Sequence, residues 1–172
     1  EARGLSPWDL RAESVAWIDT QLIDVRADDV TSLTLSNPHG EVALARQDGT
    51  WVLDDGGDAE EQLDPTKVDA FIRSIGSLRF SEPAGRIDGG QDFGFDDAVG
   101  RLEVVHDIDG QLSDALELIV GDEGEGQEGS RYAHLSGSKF AIVLAKTDVD
   151  RVLDQKIEDL LTDSDDSGDT GD

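Results

Sequence analysis

The chain has 172 residues and a formal net charge of -26, from 40 Asp and Glu against 14 Lys and Arg. That charge argues against direct binding to nucleic acid or anionic lipid, because the attraction to phosphate that dominates such binding is reversed. The chain has no Cys, which excludes disulfides, Cys-ligated zinc and thiol catalysis.

The acids are spread along the chain. Residues 162–172 carry five Asp and no base, and the remaining 35 acids against 14 bases still leave -21. Asp outnumbers Glu 28 to 12, and Arg outnumbers Lys 10 to 4. A surface rich in Asp and poor in Lys fits adaptation to high salt, where self-repulsion is screened. An ordinary acidic surface is the alternative. There is no Met, even at position 1. The expectation is a processed fragment whose signal peptide or membrane anchor lies outside it. No apolar run approaches the length of a membrane span.

Residues 1–13 read as a lead-in. Over 14–23, Val15, Ile18 and Leu22 stand at helical spacing, and Trp17 reads as a packing anchor. The period then changes to two. Val30–Ser36 places Leu33 and Leu35 on one face, and Glu41–Arg46 does the same with Val42 and Leu44. Thr50–Leu53 points Trp51 and Leu53 together. Asn37–Gly40 and Asp48-Gly49 supply turn chemistry, so these three strands form an antiparallel meander.

Residues 54–63 read as an acidic loop. Asp64 then caps a helix with Pro65 at its first position, and Val68, Phe71, Ile72, Ile75 and Leu78 form one apolar stripe. Residues 79–98 read as a short extended piece and a loop. A second strand set follows over 100–107, 115–121, 131–135 and 139–144. A last helix is expected to start at Thr147, with Val149, Val152, Leu153, Ile157 and Leu160 on one face.

These elements predict an α+β fold. Antiparallel sheets arise from two strand groups, each followed by a helix on one face, in a pattern that hints at a degenerate repeat. One domain is expected over 14–161, with halves 14–80 and 98–161, and a disordered acidic tail over 162–172.

No residue set meets the demands of catalysis. Asp107-Ile108-Asp109-Gly110 resembles the start of a calcium loop, but Leu118 stands where the twelfth-position Glu is needed, so a hairpin turn is the better reading. Asp122, Glu123, Glu125 and Glu128 gather in a glycine-rich loop and are the weak candidates for a hard cation; a solvated connector is favoured over that site. The same two readings apply to 88–92. His39, His106 and His134 lack partners at metal-ligand spacing, and no nucleophile-elbow sequence is present. No cofactor is expected. Phe93 and Phe95 flank Gly94 in a polar loop, where they either seal the core or offer a partner an apolar edge.

The order of these signals resembles a bacterial family filed as domain of unknown function 4340. The matching pieces are Trp17-Ile18-Asp19, Gly49-Thr50-Trp51, Asp64-Pro65 with Phe71-Ile72, Phe93-Gly94-Phe95-Asp96, Leu118-Ile119-Val120-Gly121 and Arg131-Tyr132-Ala133-His134-Leu135. Ala98 departs from the family's usual Pro. The resemblance implies exported bodies of anchored envelope proteins, some labelled as auxiliary components of gliding-motility ABC transporters, and it carries over no catalytic residue.

The expected function is therefore a non-enzymatic, extracytoplasmic interaction module with envelope or transporter partners. An upstream anchor would hold it, and this fragment itself would contact neither membrane nor nucleic acid. The alternative is an acidic mimic of nucleic acid that binds a basic protein.

Overall fold

The computed structural model describes residues 20–54, 62–108, 110–124 and 129–162. Three hairpin strands open it: β1 (Val30–Asn37), β2 (Gly40–Gln47) and β3 (Thr50–Leu53). The turn between β2 and β3 holds Asp48 at φ 50° and Gly49 at φ 82°, the left-handed pair that a tight two-residue hairpin demands.

Helix α1 (Pro65–Gly76) is built as its sequence requires. The Asp64 side chain accepts from Thr66 N, Pro65 opens the first turn, and Val68, Phe71, Ile72 and Ile75 are buried. The extended piece expected after it is β4 (Phe80–Arg86). The second group comprises β5 (Gly100–Ile108), the two-residue β6 (Gln111–Leu112), β7 (Leu116–Glu123), β8 (Ser130–Leu135) and β9 (Phe140–Ala145). Helix α2 (Lys146–Leu153) closes the fold.

The two strand groups do not make separate sheets. β1 pairs antiparallel with β5, with Leu33 opposite Val104 and Leu35 opposite Leu102. That pairing fuses everything into one sheet of order β3-β2-β1-β5-β7-β8-β9-β4, with β6 attached to β5. β4 follows the first helix, yet it pairs with β9 at the far edge, so the chain interlocks across the molecule. A bulge between Val30 and Ser32 lets Val30 and Leu33 both face inward despite their odd spacing.

One face of the sheet carries the main core. Leu33, Leu35, Val42, Leu44, Leu102, Val104, Leu118 and Val120 pack in one cluster with Val68, Ile72 and Ile75 of α1 and with Val149, Val152 and Leu153 of α2. Gly100 permits this closeness, because a Cβ there would collide with Leu153.

Helix α2 departs from the sequence expectation. It begins at Lys146, not Thr147; Ala145 occupies the cap without a side-chain bond, and the helix stops at Leu153. Ile157 and Leu160 lie beyond it, and Leu160 is buried by a 3-10 turn over Glu158–Leu160. Beyond the stop, Asn37 Nδ2 on the β1–β2 hairpin donates to the Gln155 carbonyl at 2.7 Å, an acceptor that a longer helix would use.

Residues 20–23 are not helical. Gln21 bridges Arg79, and Leu22 N donates to the Leu78 carbonyl at 3.2 Å. The rest of that segment, including Trp17, lies outside the described residues, as do 55–61 of the acidic loop. The tail expected from 162 starts with Thr162 N donating to the Gln62 carbonyl at 2.8 Å, and its remaining residues also lie outside the described ones.

Candidate interaction surface

The face of the sheet opposite the helices is divided. Over β7, β8, β9 and β4 it is covered by the connection 87–99, which must cross from the edge strand β4 to the central strand β5. This strap pins Phe93, 3% exposed, against Tyr132, Ala141 and Val143, with half-buried Phe95 and Ala84 at the margin. The Phe93 and Tyr132 rings meet edge-on at 5.0 Å, and those of Phe93 and Phe95 stack at 5.6 Å, both favoured aromatic arrangements.

Two glycines make the docking possible. A Cβ on Gly121 would overlap the Phe93 carbonyl, and one on Gly94 would lie 2.6 Å from the Asp122 carboxylate. With only hydrogens there, Asp122 N donates to the Phe93 carbonyl at 3.2 Å. Gly94 has φ +73°, and its N–H donates to Asp92 Oδ1 at 2.9 Å. The Phe-Gly-Phe motif and the Leu-Ile-Val-Gly motif, far apart in sequence, are therefore the two halves of one contact. Phe93 and Phe95 seal a second cluster, separate from the main core.

Over β3, β2 and β1 the same face bears short side chains. Val52 lies opposite Ala45, Ser32 opposite Ala45 and Thr34 opposite Ala43, all partly exposed. On the neighbouring β5 and β7, Arg101 pairs with Glu117 at 3.2 Å, and Arg101 Nη2 reaches the Phe95 carbonyl at 3.5 Å, marking the border between the two halves. β3 forms one edge of the sheet, only four residues long. At the other edge β4 contains Pro83 and two register shifts, features that blunt strand addition.

Some of the charged side chains tie elements together. Asp150 on α2 accepts from Arg131 Nε at 2.7 Å and also from Lys146. Burial pushes Asp150 up, but the hydrogen bonds from Lys146 and Arg131 outweigh it and hold the carboxyl below its ordinary value. Lys146 is in turn held above the usual lysine range, chiefly by its bond to Asp150. Arg86 and Asp88 form an exposed pair at 2.8 Å that lowers the Asp88 carboxyl through its hydrogen bond.

Of the cation candidates, Asp122 lies beneath Gly94 and Glu123 is 3.5 Å from Lys146. Glu125 and Glu128 lie outside the described residues. No group of three or more His, Asp or Glu able to hold a metal occurs among the described residues. Asp107 Oδ1 accepts from Gly110 N at 2.6 Å at the turn joining β5 to β6, as the hairpin reading of that motif requires. His106 Nδ1 stands 3.0 Å from Ser113 Oγ. Because Ser113 N also donates to the His106 carbonyl at 2.8 Å, this pair closes the hairpin. His134 Nε2 meets the Ser138 carbonyl at 2.9 Å, and His39 faces Asp154 at 3.7 Å.

Among the described residues no helix is long and apolar enough to cross a membrane. The family model described as Domain of unknown function (DUF4340) matches residues 5–91, a span that holds the first meander, α1 and β4 and ends just before Phe93. No curated protein and no solved structure matches the chain.

Proposed function

The chain belongs to the family described as Domain of unknown function (DUF4340), and from that premise we propose that it is a non-catalytic, extracytoplasmic interaction module serving an envelope or transporter assembly. The observation that carries this reading is the divided outer face. One half is sealed by a strap of the chain itself, whereas the half on β1, β2 and β3 presents Val52, Ala43, Ala45, Ser32 and Thr34, partly exposed, beside a sheet edge. These short, uncharged side chains, bordered by Glu41 opposite Ser36 and Glu103 opposite Thr34, are where a partner can approach closely with little charge to desolvate in the middle of the patch. Phe95, half-buried at the strap's margin, extends the surface; Phe93 contributes by holding the strap in place. The acids elsewhere fit a surface tuned to high salt.

We further read 14–80, with β1–β3 and α1, and 98–161, with β5–β9 and α2, as halves of a degenerate repeat, each a strand group followed by a helix.

The test is site-specific photo-crosslinking in the native host, with the crosslinker at Val52 or Thr34 and a control at Leu112, which is 68% exposed on the β6 hairpin. Crosslinks from the first two positions to one envelope protein, together with protease accessibility of the body in spheroplasts, are expected. A body protected inside the spheroplast, or crosslinks equal at all three positions, would sink the proposal.

A further inference from the structure

The strap over 87–99 differs from the rest of the fold in how it is held. Phe93 is its only buried residue, and the cluster it completes contains four buried side chains that are separate from the main core. Its backbone is tied at both ends, by Ile87 N to the Lys139 carbonyl at 3.1 Å and by Val99 N to the Val120 carbonyl at 2.9 Å. Between these ties it is fastened by Asp122 N to the Phe93 carbonyl at 3.2 Å and by Gln91 to the Tyr132 hydroxyl at 3.5 Å. Gly90 at φ +82° and Gly94 at φ +73° lie on either side of Phe93, positions where the backbone can pivot without a side chain to hinder it.

We infer that the strap is a separately opening unit, a cover that lifts from the outer face while the helix-side core stays folded. The free energy of a local opening is set by what that opening exposes. Lifting the strap gives up the small aromatic cluster and a few hydrogen bonds. It leaves intact the β1–β5 pairing and the packing of α1 and α2 that define global stability. The lifted strap uncovers Tyr132, Ala141 and Val143 beside Gly121, whose missing side chain leaves a trough along β7. The device converts the sealed half of the outer face into a second apolar surface without unfolding the protein.

Native-state hydrogen exchange on the whole chain tests this, read at the Asp122 amide across a series of low urea concentrations. Corrected for intrinsic rates, this amide is expected to exchange about tenfold or more faster than the slowest amides of β1 and β5, with a much shallower urea dependence. Phe93→Ala is expected to raise exchange at Asp122 and leave the slowest β1 and β5 amides unchanged. Should that variant fail to fold, Phe95→Ala removes a half-buried ring stacked on Phe93 and is expected to raise the same rate by a smaller factor. Exchange at Asp122 that follows the same urea dependence and the same rate as the slowest core amides would overturn the inference. So would a Phe95→Ala variant that leaves that rate unchanged.

Discussion

The Phe93 carbonyl occupies the space that a Cβ on residue 121 would need, so the crossing of the strap over β7 depends on Gly121. Gly121→Ala is therefore expected to destabilise the protein by about 1–3 kcal/mol, the usual cost of overpacking a close contact. Urea unfolding measures the loss, and quenching of the Tyr132 environment by acrylamide reports whether the strap has shifted. A variant as stable as the parent would show that the strap rides higher on the sheet.

Asp150 links α2 to β8 through Arg131 and to its own first turn through Lys146. Asp150→Asn keeps the shape but gives up the charge in both bonds, and a loss of about 1 kcal/mol is expected after discounting for solvent access.

The pH dependence follows from the lowered Asp150 carboxyl. A group whose folded value is depressed stabilises fully above its unfolded value, roughly pH 4 for Asp, and loses that contribution as pH falls through the folded value. The parent is expected to lose stability below about pH 4 more steeply than Asp150→Asn. Parallel acid limbs in thermal unfolding from pH 5 downward would contradict this.

Asp64 stands at the start of α1 with its carboxylate 2.8 Å from Thr66 N. Asp64→Ala removes that cap and is expected to cost about 1 kcal/mol, whereas Asp64→Asn, which keeps an acceptor oxygen, costs much less. Equal losses in both variants would assign the effect to charge instead of to the cap.

The net charge of -26 sets an expected response to salt. Self-repulsion is screened over about 10 Å at 0.1 M and about 3 Å at 1 M ionic strength. The melting temperature is therefore expected to rise steadily from low to molar sodium chloride, with potassium chloride acting alike. A flat profile would mean that the acids lie too far apart to repel. A jump at micromolar calcium would point to a cation site in the Asp122–Glu128 loop.

Much of this was legible because local chemistry decides local structure. Alternation through Leu33 and Leu35 or through Leu102 and Val104 marked strands whose faces the structure keeps, and Asp48-Gly49 marked a hairpin. Asp64 and Pro65 opened α1 where they stood. Helix α2 was harder: Ile157 and Leu160 continue the helical spacing, yet the side chain of Asn37, 118 residues away in sequence, takes the Gln155 carbonyl and a tighter turn buries Leu160. The role of Phe93 was half legible. Its hydrophobicity in a polar loop implied a seal, but the surface it seals is formed by β8 and β9, which come later in the chain.

The order of residues alone determined the strands of both groups, the first helix and their apolar faces, because capping, turn geometry and periodicity act over a few residues. Tertiary structure decided what no window of sequence contains: that β1 pairs with β5 to fuse two groups into one sheet, that β4 crosses to β9, and that Gly94 and Gly121 meet. These depend on contacts between distant segments, where the burial gained by the whole core selects among pairings that are locally equivalent.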